Sequence, residues 1–176
     1  MSGPKIIGIA GFRKVGKTTL VERLVGELGA RGYRVSTVKH AHHDAEIDEP
    51  GRDSWRHREA GAQEVALVTA RRFAIMHELR GAPEPPLADI VARMAPADVV
   101  IVEGFKEAAI PKIEVRRTGL DHPPLAGRVA NVIAIATNDA VAETHLPVIS
   151  LDDVPAIADF IVDRLALEGS HARALG

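Results

Sequence analysis

Hydrophobic positions along the chain alternate between short runs rich in β-branched residues and longer runs with helical spacing. Lys5–Ala10 is apolar at nearly every position, which is typical of a parallel strand buried on both faces. Apolar residues then recur at three- and four-residue spacing from Lys17 to about Leu28, which predicts an amphipathic helix. Gly29 and Gly32 are expected to end this helix, and Arg34–Lys39 to form the next strand. The opening of the chain thus predicts a β-loop-α-β unit.

The same alternation continues to the end of the chain. Asp53 is expected to cap a short helix over Ser54–Ala60. The remaining elements are predicted to be strands at Val65–Thr69, Phe73–His77, Asp98–Glu103, Lys112–Arg116 and Val132–Ala136, and helices at Leu87–Met94 and about Pro155–Leu167. This order indicates a three-layer α/β fold, in which a mostly parallel sheet carries helices on both faces. A length of 176 residues favours one domain over 1–168, followed by a flexible tail over 169–176.

Composition excludes several classes of protein. The chain has no cysteine, which rules out disulfides and thiolate zinc sites and suits a reducing compartment. The formal net charge is -2 and aromatic residues make up only 3% of the chain, so neither a basic field nor a stacking platform for nucleic acid is indicated. No apolar run approaches the length of a membrane span. We therefore expect a cytoplasmic protein that binds neither nucleic acid nor membrane.

Residues 11–18, GFRKVGKT, match the pattern G-x-x-x-x-G-K-[ST] between a predicted strand and a predicted helix. Lys17 would bridge the β- and γ-phosphates of a nucleotide, the hydroxyl of Thr18 would bind Mg²⁺, and Thr19 could reach the α-phosphate. The loop residues whose backbone would surround the phosphates are Gly11, Lys14, Val15 and Gly16. A glycine turn that only joins strand to helix is the alternative, but it requires neither the lysine nor the hydroxyl.

A nucleotide bound with Mg²⁺ also needs a carboxylate at the end of a neighbouring strand. Glu103 ends an apolar run and precedes Gly104, so we expect it at the sheet edge where ligands bind. Asp98 begins the same strand, roughly 16 Å away, and is expected to be a solvated charge. Asp48, in the polar loop after the second strand, could hold a magnesium-bound water. The candidate catalytic residues are Lys17, Glu103 and Asp48, and the candidate metal ligands are Thr18, Glu103 and Asp48.

Two further regions leave alternatives open. Four histidines and four acidic residues are interleaved at His40, His42, His43, Asp44, Glu46, Asp48, Asp53 and His57. Such ligands suit zinc or nickel, but their spacing does not place two histidines on one helix face. Guanine-specific proteins often carry Asn-Lys-x-Asp after a late strand, where this chain has Thr137-Asn138-Asp139. Asp139 is therefore a candidate guanine contact, with a plain turn as the alternative.

Three longer strings accompany the phosphate loop, at Val38–His43, Pro50–Ala62 and Val102–Lys106. Together with that loop they resemble the MobB family of molybdopterin-guanine dinucleotide biosynthesis adaptor proteins, over about Ile6–Ala136. The resemblance implies the P-loop fold of signal-recognition and metal-insertion GTPases, GTP and Mg²⁺ as ligands, weak hydrolysis and a homodimer. It also implies a partner, the guanylyltransferase that joins GMP to molybdopterin, with molybdopterin as a further candidate ligand.

By the same resemblance, Gly16, Lys17 and Thr18 would contact phosphate and magnesium, with Glu103 and Asp48 as the acidic residues. No residue stands out as a general base or an arginine finger, so hydrolysis is expected to be slow. The alternatives are a nickel- or zinc-insertion GTPase, a small-molecule kinase with Arg71-Arg72 as phosphate clamp, and a structural partner whose nucleotide only sets its shape. Val65–Leu79 is the candidate dimer contact, because edge strands readily pair with a second chain.

Overall fold

A parallel sheet of six strands dominates the computed structural model, which describes residues 4–41, 47–117, 122–141 and 144–169. In chain order the elements are β1 (Lys5–Ala10), α1 (Lys17–Ala30), β2 (Val35–Lys39), α2 (Asp53–Glu59), β3 (Glu64–Val68), β4 (Phe73–His77), α3 (Leu87–Ala92), β5 (Val99–Glu103), β6 (Lys112–Val115), β7 (Val132–Ala136), β8 (Val148–Ile149) and α4 (Val154–Leu165). The strand order β2-β5-β1-β6-β7-β8 confirms the predicted α/β class with a mostly parallel sheet.

Contacts within the chain define two compact units. The first comprises the residues up to His40 and those from Val91 onward, and the second is Ala41–Ile90. The first unit contains the whole six-stranded sheet, and the second contains the separate β3-β4 sheet. The single domain expected from chain length stays a prediction. Among the described residues, no helix has the length and apolar character needed to cross a bilayer.

The core of the first unit lies where α1 and α4 pack against each other and against the central strands. Ile7 and Ile9 of β1 meet Leu24 and Leu28 of α1 there, all without solvent exposure. Val99–Val102 of β5 are also buried at every position, so both faces of that strand are covered. Buried, β-branched strands of this kind are what a parallel sheet requires. The apolar runs in the sequence therefore become the middle of the sheet.

The predicted end of α1 is right in part: the helix continues to Ala30, two residues beyond the expected end near Leu28, so Gly29 lies inside it. Gly32, the other glycine expected to end the helix, does so: it follows the last turn with a φ of +87°, which glycine adopts at little cost. The N–H of Gly32 donates to the carbonyl of Gly29, and that of Tyr33 donates to the carbonyl of Leu28. This Schellman arrangement satisfies the last carbonyls of the helix and turns the chain towards β2.

The predicted cap of α2 is wrong. Asp53 is the first helical residue, while Arg52 occupies the capping position with an extended backbone and no capping side-chain hydrogen bond. The Asp53 carboxylate lies 3.9 Å from the guanidinium of Arg56 instead. Sequence analysis also missed β8, because two residues are too short to show an alternating pattern. The other predicted boundaries agree with the structure to within one or two residues.

The second unit is built around an antiparallel pair, β3 and β4, which confirms that these two predicted strands are neighbours. Val65 and Met76 lie opposite each other and are buried. The other face of the pair carries Val68, Phe73 and Ile75, which are largely exposed. This exposed apolar face is called the hairpin face below.

Lys112 is a charged residue with no solvent exposure at the start of β6. Its ammonium group donates to three backbone carbonyls, those of Ala108, Ile110 and Ala130. Burial lowers the pKa of Lys112, since desolvation disfavours the charged form. The three hydrogen bonds connect the loop after β5 and Ala130, which lies just before β7, to the middle of the sheet.

Replacing Lys112 by Met should lower the free energy of unfolding by roughly 2 to 5 kcal/mol, because three carbonyls would lose their donor in a buried place. Urea unfolding followed by circular dichroism would measure the change. The matched control is Lys5→Met on the exposed start of β1, which should alter stability by less than about 0.5 kcal/mol. A Lys112→Met protein as stable as the control would contradict this account.

Candidate functional site

The loop between β1 and α1 has a backbone that only glycine permits at two positions. A Cβ on Gly11 would lie 2.8 Å from the carbonyl oxygen of Val115, so the close approach of β6 excludes any side chain there. Gly16, at the start of α1, has a φ of +101°, and Lys14 also has a positive φ, of 65°. Left-handed residues in such a loop form a concave arrangement of backbone N–H groups that suits an anion. The loop therefore has the conformation expected of a phosphate loop.

Lys17 is folded back over its own loop. Its ammonium group donates to the backbone carbonyl of Phe12 at 2.6 Å. Burial lowers the pKa of Lys17, and the positive charges of Lys106 and Lys39 lower it further, whereas the carboxylate of Glu103 raises it. The amine is thus close to one negative and two positive side chains. A phosphate oxygen could replace the Phe12 carbonyl as its acceptor.

Thr18 and Glu103 meet at the edge of the sheet, although 85 positions separate them in the sequence. The Thr18 hydroxyl donates to the Glu103 Oε1 atom at 2.9 Å, and the Lys39 ammonium lies 3.7 Å from Oε2. Hydroxyl and carboxylate oxygens are the ligands that Mg²⁺ prefers. The residues at this edge therefore fit a magnesium-bound triphosphate, while their roles as metal ligands stay predictions.

Asp48 belongs to the second unit, where its carboxylate is only 7% exposed. Its Oδ1 atom accepts hydrogen bonds from the Ser54 hydroxyl at 3.0 Å and from the Glu49 backbone N–H at 2.9 Å. Its Oδ2 atom lies 3.6 Å from the Nε atom of Arg58. Arg58 also donates to Glu78 at 2.8 Å. The Asp48 carboxylate is therefore bound by residues of its own unit, and its proposed role in binding a magnesium-bound water stays a prediction.

The histidine-rich loop lies only partly within the described residues. His42, His43, Asp44 and Glu46 fall outside them. The ring of His40 stacks on that of Phe105, with centroids 4.5 Å apart. Within residues 4–41, 47–117, 122–141 and 144–169, no three histidine or acidic side chains form a group that could hold a metal.

Asp139 lies in a cavity of about 210 Å³ beside the phosphate loop. The cavity is lined by Phe12 and Val15 of that loop, by the residues that follow β6 and by those that follow β7. The Asp139 backbone N–H donates to the Thr137 hydroxyl at 3.1 Å. The Phe12 ring stacks on His122 across the cavity wall, with centroids 4.3 Å apart. The structure thus places Asp139, the candidate guanine contact, on the side of β1 opposite Glu103.

Glu114, which sequence analysis missed, fixes one wall of this cavity. It is 2% exposed and accepts hydrogen bonds from the backbone N–H groups of Leu125 and Ala126, at 2.7 and 2.9 Å. The Arg116 guanidinium donates to the same carboxylate at 2.8 Å. Burial alone would raise the pKa of Glu114, but these three donors outweigh it and hold the pKa below its ordinary value. The available signal was an acid between two β-branched residues, Ile113 and Val115, in a predicted strand.

Comparison with known proteins gives one consistent family. Residues 6–138 match the family described as MobB, molybdopterin guanine dinucleotide synthesis protein B. A molybdopterin-guanine dinucleotide biosynthesis adapter protein of Haemophilus influenzae is 42% identical over 159 residues, covering 89% of this chain and 86% of that protein. The adapter protein of Escherichia coli is 34% identical over 160 residues, covering 90% and 91%.

Solved structures agree with the sequence relatives. The crystal structure of Bacillus subtilis MobB superposes with a TM-score of 0.72 at 25% identity, covering 92% of this chain and 98% of that one. The crystal structure of a molybdopterin-guanine biosynthesis protein B gives a TM-score of 0.73 at 28% identity, covering 91% of this chain and 99% of that one. The likeness therefore extends over nearly the whole length of these chains.

Glu114 should make stability depend on acid. Because its folded pKa lies below the unfolded value of about 4.5, its contribution is present above that value and is lost as the pH falls through the folded pKa. Glu114→Gln should therefore be less stable near neutral pH, and its stability should fall less between roughly pH 5 and pH 3. Urea midpoints across that range measure this, with the exposed Glu107→Gln as control. Parallel curves for Glu114→Gln and wild type would disprove the assignment.

Proposed function

The chain belongs to the MobB family and is an adapter of molybdopterin-guanine dinucleotide synthesis, and we propose that it acts by binding GTP with Mg²⁺ and hydrolysing it slowly. The observation that carries the nucleotide part is the contact between Thr18, at the end of the phosphate loop, and Glu103, at the end of β5. A phosphate loop with a hydroxyl and a carboxylate beside it is the arrangement that P-loop proteins use for a magnesium-bound triphosphate.

The loop residues fit this ligand. Gly11 permits the close approach of β6, Gly16 adopts the left-handed backbone of an anion-binding loop, and Lys17 would exchange the Phe12 carbonyl for phosphate oxygens. Thr18 and Glu103 would hold the magnesium ion, which supplies charge neutralisation at the phosphates when bound. Glu103 is already held by Thr18 and Lys39, which favours metal binding over proton abstraction. Hydrolysis is then expected to be slow, because positioning and Mg²⁺ would lower the barrier without the help of a general base.

The cavity around Asp139 supports guanine as the base. Glu103 ends β5 on one side of β1, whereas β6 and β7 lie on the other side. A nucleotide whose phosphates rest on the loop after β1, with its metal end at β5, would extend its base towards this cavity. The Asp139 carboxylate could accept the N–H groups that guanine offers on its pairing edge, and adenine offers no N–H at the equivalent ring nitrogen.

An adapter needs a partner, and we propose the guanylyltransferase that joins GMP to molybdopterin, with molybdopterin as a further candidate ligand. The cytoplasm stays the predicted location. The comparisons favour neither a nickel- or zinc-insertion GTPase nor a small-molecule kinase. Arg71 and Arg72 lie in the short turn between β3 and β4, which supports no lid over a substrate.

The hairpin face supports the proposed homodimer. Val68 and Phe73 lie opposite each other in the β3-β4 register and are 72% and 71% exposed, with Ile75 at 61%. Exposed apolar side chains clustered on one face of a two-stranded sheet are typical of a surface that another chain covers. A second copy of this chain would bury the same face of its own hairpin in return.

Lys17→Ala should weaken the binding of Mg²⁺-GTP by about 10- to 100-fold, because a charge-assisted contact to phosphate is lost. Isothermal titration measures the affinity, with Lys5→Ala, on the exposed start of β1, as the matched control. The wild type should bind GTP at least about tenfold more tightly than ATP, and Asp139→Ala should reduce that preference. Wild-type protein that binds neither nucleotide, or that prefers ATP, would refute the GTP proposal.

Phe73→Asp should weaken dimerisation by roughly tenfold or more, because a charge would replace an apolar ring inside the interface. Sedimentation velocity over a series of protein concentrations measures this. Ala82→Asp introduces the same charge at an exposed position of the same unit and should leave the dimer intact. If both variants sediment like the wild type, the dimer does not use the hairpin face.

A further inference from the structure

Lys106 is held over the phosphate loop. Its ammonium group lies 4.7 Å from the centroid of the Phe12 ring, and its side chain is half-buried. A cation above an aromatic face is attracted by the negative charge of that face, so the amine rests there rather than extending into solvent. The backbone carbonyl of Phe12 accepts a hydrogen bond from the ammonium group of Lys17. One residue of the phosphate loop therefore contacts two lysines.

The turn before Lys106 has an unusual backbone that directs it there. Gly104 has a φ of +96°, and a Cβ at this position would lie 2.8 Å from the Cβ of His40. Phe105 also has a positive φ, of 47°, and its ring stacks on that of His40. Positive φ at a bulky aromatic residue is strained and persists only where the surroundings enforce it. The two left-handed residues turn the chain after Glu103, and Lys106 then lies over the ring of Phe12 in the phosphate loop.

The charge around the loop is unbalanced. Lys17, Lys39 and Lys106 supply three positive charges, and repulsion from Lys39 and Lys106 contributes to the lowered pKa of Lys17. Glu103 supplies one negative charge, which Lys39 approaches at 3.7 Å. Within the described ranges, no carboxylate forms an ion pair with Lys106. The cluster is thus arranged for a ligand with several negative charges.

We propose that Lys106 contacts the terminal phosphate of the bound triphosphate and so makes the protein distinguish GTP from GDP. This inference rests on the proposed binding of GTP at the phosphate loop. Thr18 and Glu103 would hold the magnesium ion of the bound nucleotide, and in P-loop proteins that ion neutralises charge at the β- and γ-phosphates, so the γ-phosphate would lie near this pair. Lys106 follows Glu103 by three residues, and its ammonium rests on Phe12, whose carbonyl holds the Lys17 amine that would bridge the β- and γ-phosphates. The diphosphate lacks the group that Lys106 would contact.

Lys106→Met removes the charge at nearly constant length, and Lys106→Arg retains it. The affinities to compare are those for GDP and for guanylyl imidodiphosphate, a GTP analogue that resists hydrolysis, both measured by isothermal titration with Mg²⁺. Lys106→Met should bind the analogue about tenfold or more weakly than the wild type and GDP within about twofold. Lys106→Arg should recover most of the affinity for the analogue. Melting temperatures verify that each variant is folded.

Lys39→Met is the matched control for a general electrostatic effect, because it removes the same charge beside Glu103. It should change the affinities for the analogue and for GDP by similar factors. The inference would be overturned, with GTP binding intact, if Lys106→Met weakened the binding of the analogue and of GDP equally, or weakened neither. The same holds if its affinities changed as those of Lys39→Met do. If the wild type binds neither guanine nucleotide, the proposed function fails at its own step, and the inference fails with it.

Discussion

Parallel pairing between β1 and β5 is the constraint on which the candidate site depends. Ile9 lies opposite Glu103 in this register, so the phosphate loop and the carboxylate emerge at the same edge of the sheet. A slip by one residue would turn Glu103 to the other face of the strand. Both strands are buried on both faces, and the cost of exposing their side chains holds the register. Burial of apolar strands thus fixes a polar contact between Thr18 and Glu103.

The positive charge at this edge is local. The whole chain carries a formal net charge of -2, yet the Lys17 amine interacts with two further ammonium groups, those of Lys39 and Lys106, and with the carboxylate of Glu103. Interactions over a few ångströms in a partly buried site are screened much less than those across the surface. A net charge that disfavours nucleic acid is therefore compatible with a site for a small polyanion. What matters is which charges the fold brings together.

Sequence reasoning found the parts of the site that are coded in consecutive residues. The phosphate loop shows its glycines, lysine and hydroxyl in one string, and Glu103 is visible because it ends an apolar run. It could not find contacts that depend on how a loop folds back on a helix: nothing in the sequence around Asp48 indicates that Ser54 and Arg58 contact its carboxylate. The predicted cap of α2 and the predicted end of α1 at Gly29 were wrong for a related reason. Several residues near Asp53 and Gly29 could end a helix, and backbone geometry selects among them.

Two buried charges on β6 explain how the loops around the site keep their shape. Lys112 faces backbone carbonyls that follow β5, and Glu114 faces backbone N–H groups of the segment that leads to β7. Neutral backbone groups supply all three partners of Lys112 and two of the three donors to Glu114, and the Arg116 guanidinium supplies the third donor. The phosphate loop lies beside β6, at Val115. Two side chains of one strand thus hold the loops on either side of the phosphate loop. Lys112 holds the turn that carries Lys106, and Glu114 holds the wall of the cavity around Asp139.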